Sequence, residues 1–197
     1  MKNILILLFF ISLSGFSQNR YALDTLKKQI MWHGYAVGGG HEGTLNLLSG
    51  SLTVEKQKIT GGDFVIDMQS LKGTDQKSEQ GNKDLSDHLK SDDFFSAALF
   101  PTARFSIVQV KSLNDPESAD RFSVSGSLTI KGITQPITFP ASIKIDPEQV
   151  KVMADITINR THWNIRHSSK SFFTDLKEGV ISDDIMISID LRLKPVD

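Results

Sequence analysis

From Gly43 to the C-terminus the apolar side chains recur every two residues, which restricts this chain to strands with one buried face. Phe64, Ile66 and Met68 alternate with Val65 and Asp67, and Phe122, Val124, Leu128 and Ile130 share a face with Gly126. Ile137, Phe139, Ala141, Ile143 and Ile145 continue the pattern. Two later runs are cleaner: Val150, Val152, Ala154, Ile156 and Ile158, then Ile185, Ile187, Ile189, Leu191 and Leu193. A one-residue slip would expose every one of those side chains, so the facing of each run is strongly specified.

Turn signals divide the runs at Thr60 to Gly62, Asn114 to Asp120, Lys131 to Pro136 and Asp146 to Gln149. Long strands joined by short turns, polar on one face and aliphatic on the other, predict an all-β fold: an antiparallel, lipocalin-like β-barrel of about eight strands. Ten residues rise roughly 33 Å, tall enough to enclose a chain-like ligand. One stretch breaks the period. Between Ser70 and Ala98 the chain is charged, then helix-like, with Leu85, Leu89, Phe94 and Phe95 at helical spacing and Asp84 or Ser86 as candidate caps. This predicts a short helical lid insertion near residues 84 to 98.

The first 17 residues combine Lys2, an apolar run and small residues at Gly15 and Ser17, the pattern of a secretory signal peptide cleaved after Ser17. The run is shorter than the ~20 apolar residues needed to cross a bilayer. The expectation is a soluble protein, periplasmic or secreted, with residues 18–197 as a single domain and no stable membrane insertion of the mature chain. Formal charge is −1, so no basic face is expected and no nucleic-acid partner. The chain has no cysteine, which removes disulfides, thiolate ligands, a cysteine nucleophile and lipid attachment through an N-terminal Cys. An exposed barrel edge or rim leaves room for a homodimer.

Catalytic motifs are scarce. Gly38 to His41 reads GGGH, but the strand-like alternation that follows supplies no helix N-terminus for a phosphate loop, and a turn or bulge is expected. The five histidines, His33, His41, His88, His162 and His167, include no pair at the i, i+4 spacing of a zinc helix. There is no G-x-S-x-G elbow. No catalytic residue, cofactor or metal is therefore expected. Arg160, beside Trp163 and Arg166, suits either an anionic head group or the outer barrel rim.

HLKSDDFF (His88 to Phe95), FPTARFS (Phe100 to Ser106), VSGSLTIKGITQPITF (Val124 to Phe139) and INRTHWNIR (Ile158 to Arg166), in this order, resemble the YceI-like family. These are exported lipocalin-like barrels associated with polyisoprenoid binding. The front of the chain, IMWHGYAVGGGHEGTLNL, departs from the commoner members, which carry a His-Ser pair and a longer first strand. The resemblance implies a lid over a cavity and a long apolar guest, such as a polyprenyl phosphate or the tail of an isoprenoid quinone. Phe64, Ile66, Phe105, Leu128 and Ile130 are the expected wall, Phe94, Phe95 and Phe100 the lid, and Trp32, His41, Arg160 and Trp163 the mouth. The alternative is a structural or stress-related barrel whose rings fill a dry core, as they do in many small barrels.

Overall fold

A computed structural model describes residues 19–24, 29–113, 121–173 and 179–196. The leader read at residues 1–17 and the turn expected at Asn114 to Asp120 lie outside these residues. Nine strands follow in chain order: β1 (Asn19–Leu23), β2 (Gln29–Ala36), β3 (Gly39–Glu55), β4 (Lys58–Gly73), β5 (Thr102–Ser112), β6 (Arg121–Ile130), β7 (Ile133–Asp146), β8 (Gln149–Asn159) and β9 (Ile181–Val196). One helix, α1 (Glu79–Lys90), separates β4 from β5, and a 3-10 turn (Arg160–Trp163) follows β8.

The sheet is antiparallel throughout and closes through the pairing of β3 with β4. β1 and β2 occupy the same position in it. Both lie between β3 and β9, β1 facing Ser51 to Val54 and β2 facing Gly39 to Asn46, so nine segments make an eight-staved barrel. Closure removes free sheet edges, and eight staves leave a bore that side chains fill or a single small ligand occupies.

The period-two faces point inward as the alternation requires. Leu47, Leu52, Phe64, Val124, Leu128, Ile143, Val152, Leu191 and Leu193 are all buried. At the end formed by the β3–β4 and β7–β8 turns the bore is stoppered, with Tyr21 buried and its hydroxyl donating to the Asp146 carbonyl at 3.4 Å. Higher up, Gly126 on β6 faces inward between two aromatic strands. Phe105 on β5 and Phe139 on β7 meet there with ring centroids 5.6 Å apart, and a Cβ on Gly126 would stand 2.5 Å from Phe105 Cε2 and from the Ser106 carbonyl oxygen.

Several local readings need correction. The β3–β4 hairpin turns at Lys56 and Gln57, both with positive φ, and Thr60 to Gly62 lie inside β4. A two-residue turn with left-handed backbone at both central positions matches strand twist, and the register on either side selects it here without a glycine. Lys131 and Gly132 alone make the β6–β7 turn. The helix starts earlier than expected and ends earlier, its N-cap being Ser78, whose Oγ accepts from Gly81 N at 3.0 Å. Ser86 is a buried mid-helix residue: its hydroxyl donates to the Asn82 carbonyl and accepts from Gly73 N at 3.0 Å, which ties the helix to the end of β4. Phe94 and Phe95 follow α1 in a run of turns.

β7 pairs with β6 from Ile133 to Ser142 and with β8 only from Ser142 onward. Pro136 and Pro140 lie in the half that has no β8 partner, where a strand lacking two N–H donors loses nothing. The 3-10 turn covers this opening, with Gln135 Nε2 donating to the His162 carbonyl at 3.2 Å.

Gly126→Ala tests the aromatic floor. Alanine would gain about 0.4–1 kcal/mol from the unfolded chain, but overpacking against a ring and a carbonyl costs about 1–3 kcal/mol. Urea unfolding should show a lower midpoint with an unchanged slope; an unchanged or higher midpoint would mean that the rings move aside freely.

Candidate functional site

The barrel interior holds a cavity of about 460 Å³, inside the ~300–1,000 Å³ range of small-molecule sites. Its wall is aliphatic and aromatic. Phe64, Ile66, Phe105, Leu128 and Ile130 all line it, on neighbouring strands β4, β5 and β6. The bore stays open because the largest rings lie along the wall: a Cβ on Gly50 would stand 2.6 Å from Phe64 Cδ1, just as Gly126 receives Phe105.

The lid is built from the bottom up. α1 turns Leu85 and Leu89 into the cavity, and Gly73 lets it approach, since a Cβ there would stand 2.6 Å from Leu85 Cδ2. After the helix the chain folds back on itself: Phe95 N donates to the Leu89 carbonyl at 3.1 Å and Ala97 N to that of Lys90 at 2.8 Å. Two side chains pin this turn to the barrel. Gln69 Nε2 donates to the Ala97 carbonyl at 2.6 Å, and Lys131 Nζ to the Phe94 carbonyl at 2.7 Å. Burial pushes the Lys131 ammonium below its usual pKa, with Asp92 acting in the opposite direction. Phe94 and Phe95 reach the cavity; Phe100 does not. The Phe100 ring lies instead over the β6–β7 turn, where a Cβ on Gly132 would stand 3.1 Å from Cε1.

Polar groups gather at the lid end. Trp32 lines the cavity and its Nε1 donates to the Lys72 carbonyl at 3.2 Å. His41, exposed at the start of β3, has Nδ1 3.0 Å from Asp75 Oδ2 and 2.9 Å from Gln76 Nε2. Burial opposes ionisation of Asp75, but the hydrogen bond from His41, its own backbone and Gln76 hold its carboxyl below the usual range. Tyr35, His88 and Ser182 complete this polar end.

Arg160 also borders the cavity, though not as an exposed rim residue. It is 1 % exposed, and its guanidinium donates to three carbonyls: Nε to Ser182 at 2.9 Å, Nη1 to Ile165 at 3.0 Å and Nη2 to Ile181 at 3.0 Å. Asp183 lies 3.4 Å from Nη2. The guanidinium thus stitches the 3-10 turn to the start of β9. Trp163 is not at the mouth. It is buried outside the cavity, with Nε1 donating to the Leu128 carbonyl at 3.1 Å, and fills the gap left between β7 and β8. Arg166 stacks over the Phe172 ring at 4.2 Å. Leu85 and Leu89, whose helical spacing marks the lid insertion, join the lining, as do His88 on α1 and Ile181 and Ser182 on β9, which no sequence signal assigns to it.

A YceI-like domain family model matches residues 21–193. A UPF0312 protein of Vibrio vulnificus is 31% identical over 102 residues, 51% of this chain and 48% of that protein. One from Pseudomonas putida is 28% identical over 130 residues, 63% of each chain. The alignments thus span about half to two thirds of these relatives. Among solved structures, BcnA of Burkholderia cenocepacia superposes with a TM-score of 0.67 at 20% identity, covering 87% of this chain and 98% of that one. A polyisoprenoid binding domain from Saccharophagus degradans gives 0.62 at 14% identity, with 89% and 98% covered.

The buried guanidinium makes a stability prediction. Arg160→Met should lower unfolding free energy by about 3–5 kcal/mol, because three carbonyls and Asp183 lose their partner in a buried setting. Burial works against ionisation of Asp183, but Ser169, Ser171 and Arg160 outweigh it and hold its pKa below the usual value. A carboxyl depressed in the folded state contributes stability that is complete above its unfolded pKa of ~3.9 and is lost as pH falls through the folded value. Asp183→Asn should therefore flatten the acid limb of a stability–pH curve below about pH 4; an unaltered limb would place the acid sensitivity in other carboxyls.

Proposed function

The chain belongs to the YceI-like family, and on that premise we propose that its barrel is a binding module for a long isoprenoid-type amphiphile, a polyprenyl phosphate or an isoprenoid quinone. The observation that carries this reading is the polarity gradient of the cavity. Its wall on β4 to β6 is aliphatic and aromatic, and Trp32, Tyr35, His41, His88, Arg160 and Ser182 stand together at the lid end. A compact polar metabolite would need convergent polar groups along the wall. An amphiphile needs what is here: an apolar bore for its tail and polar atoms where its head emerges.

Burial supplies the affinity. Each methylene removed from water contributes roughly 0.8 kcal/mol, so tail length drives binding without any group that acts on the guest chemically. The role is accordingly one of carriage, not catalysis. A hollow bore also favours this reading over a structural barrel with a packed core. The name of the Saccharophagus degradans domain, which shares the fold, points to the same class of guest. The reading includes export, supported by the leader pattern of residues 1–17, to the periplasm or the medium.

Leu128→Trp tests the placement of the tail. Leu128 faces the bore from β6, opposite Phe105, and an indole there would occupy the space the tail requires. Uptake of a fluorescent polyprenyl or quinone analogue should fall at least about tenfold, matching the loss of roughly two buried methylenes, while circular dichroism stays that of a β-barrel. Undiminished uptake by the folded variant would put the guest elsewhere.

A further inference from the structure

The spacing of histidines along the chain gave no reason to expect a metal, but the fold brings two distant ones together around a carboxylate. His88 lies in the last turn of α1 and His167 in the segment after the 3-10 turn. Asp93 Oδ2 stands 3.5 Å from His88 Nε2 and 3.9 Å from His167 Nδ1, and one ligand atom from each of the three lies within 4.8 Å of the others. Two imidazoles and a carboxylate are the mixed donor set of zinc sites. With bonds of ~2.0–2.2 Å, neighbouring ligands of a tetrahedral ion stand about 3.3–3.6 Å apart. The first separation already fits, the second is a few tenths of an ångström wide, and small side-chain rotations would close the histidine pair.

The rings are also held ready. The two imidazoles meet edge to face at 5.1 Å, and Phe94 packs against both with centroids 5.0 Å away. Phe94 itself is fixed by the Lys131 contact to its carbonyl. Asp93 is largely exposed, which gives an ion a route in from solvent.

We propose that His88, Asp93 and His167 form a binding site for a divalent transition ion of the zinc class. Three protein ligands leave a fourth position open, the arrangement of sites that exchange a ligand, not of closed structural ones. His88 also lines the cavity, so that open position adjoins the lid end of the bore. The ion would join the lid, through α1 and the turn after it, to the turn that carries His167, where the Ser168 carbonyl accepts from Ile181 N of β9 at 3.0 Å. Occupancy would therefore tie the cavity-lining helix to a turn bonded to the start of β9.

The test uses the untagged protein and the metal alone. Co²⁺ titration should give visible d–d absorption saturating at one ion per chain, and Zn²⁺ should displace it, with Zn²⁺ affinity measured by competition against a chromophoric chelator. His88→Ala and His167→Ala should each weaken Zn²⁺ by at least about 100-fold, beyond the 10–100-fold typical of losing a partner outside the ligand set. Asp93→Asn should weaken it as well, and His162→Ala should leave it unchanged. All four side chains are outside the core, and circular dichroism of each variant checks that it is folded. As a second readout, Zn²⁺ should raise the thermal midpoint of the wild type and not that of the His88→Ala/His167→Ala double variant. Millimolar affinity in the wild type, or a folded double variant that keeps wild-type affinity, overturns the assignment.

Discussion

The structure depends on the ladder between β3 and β4. Those two strands, 17 and 16 residues long, close a sheet that would otherwise end in two bare edges. Closure gives every strand an inside, and with it the meaning of the period-two pattern: aliphatic faces become a lining. Closure alone does not decide whether an eight-staved bore is full or hollow. That is decided where glycine faces an aromatic ring. Gly50 and Gly126 let the rings of Phe64 and Phe105 lie over a neighbouring strand, whereas a side chain at either position would press the ring inward.

The two ends of the barrel use different chemistry for the same physical reason. At the stoppered end Tyr21, Leu52, Val150 and Leu193 are all buried and form an apolar plug. At the lid end the strands must finish and their backbone groups need partners, since an unpaired buried carbonyl costs about 1–3 kcal/mol. Arg160 meets this need for three carbonyls at once and Trp163 for a fourth. Polar atoms accumulate at the lid end because the strands finish there, and the cavity inherits its polarity gradient from that accumulation.

Which parts were legible in sequence follows from the range over which each signal acts. Strand faces were readable because period two is local and repeated, and eight staves follow from the number of such runs. The β3–β4 turn was not, since Lys56 and Gln57 carry no turn chemistry and adopt positive φ only because the register on either side demands it. The start of α1 was obscured by its composition: before Leu85 the helix has no apolar residue, so periodicity began one turn and a half late. Arg160 and Trp163 sit at a strand end and so read as mouth residues. Their structural role traces to Pro136 and Pro140, which do carry a signal: two prolines in an otherwise regular strand mark a missing neighbour, and a missing neighbour needs a plug. Phe100 was misplaced by its resemblance to Phe94 and Phe95, though it follows the turn at Ser96 that sends the chain back across the barrel.

A hollow barrel links binding and stability. The side chains that face the cavity lack packing partners on one side, and the dispersion contacts missing there are ones a tight core would make. The empty form is held by what surrounds the bore: the closed ladder, the plug at the Tyr21 end, and the carbonyl network around Arg160. None of these requires a guest, so under the proposed function the fold would tolerate loading and unloading. A guest of the proposed kind would supply the missing contacts, and since only the folded barrel offers them, it would stabilise the native state by about 2.7 kcal/mol when present at a hundred times its dissociation constant. The lid feels that gain most directly, because Leu85, Leu89, Phe94 and Phe95 all face the same space. Their packing is incomplete without an occupant, whereas the opposite end, already dense, gains little.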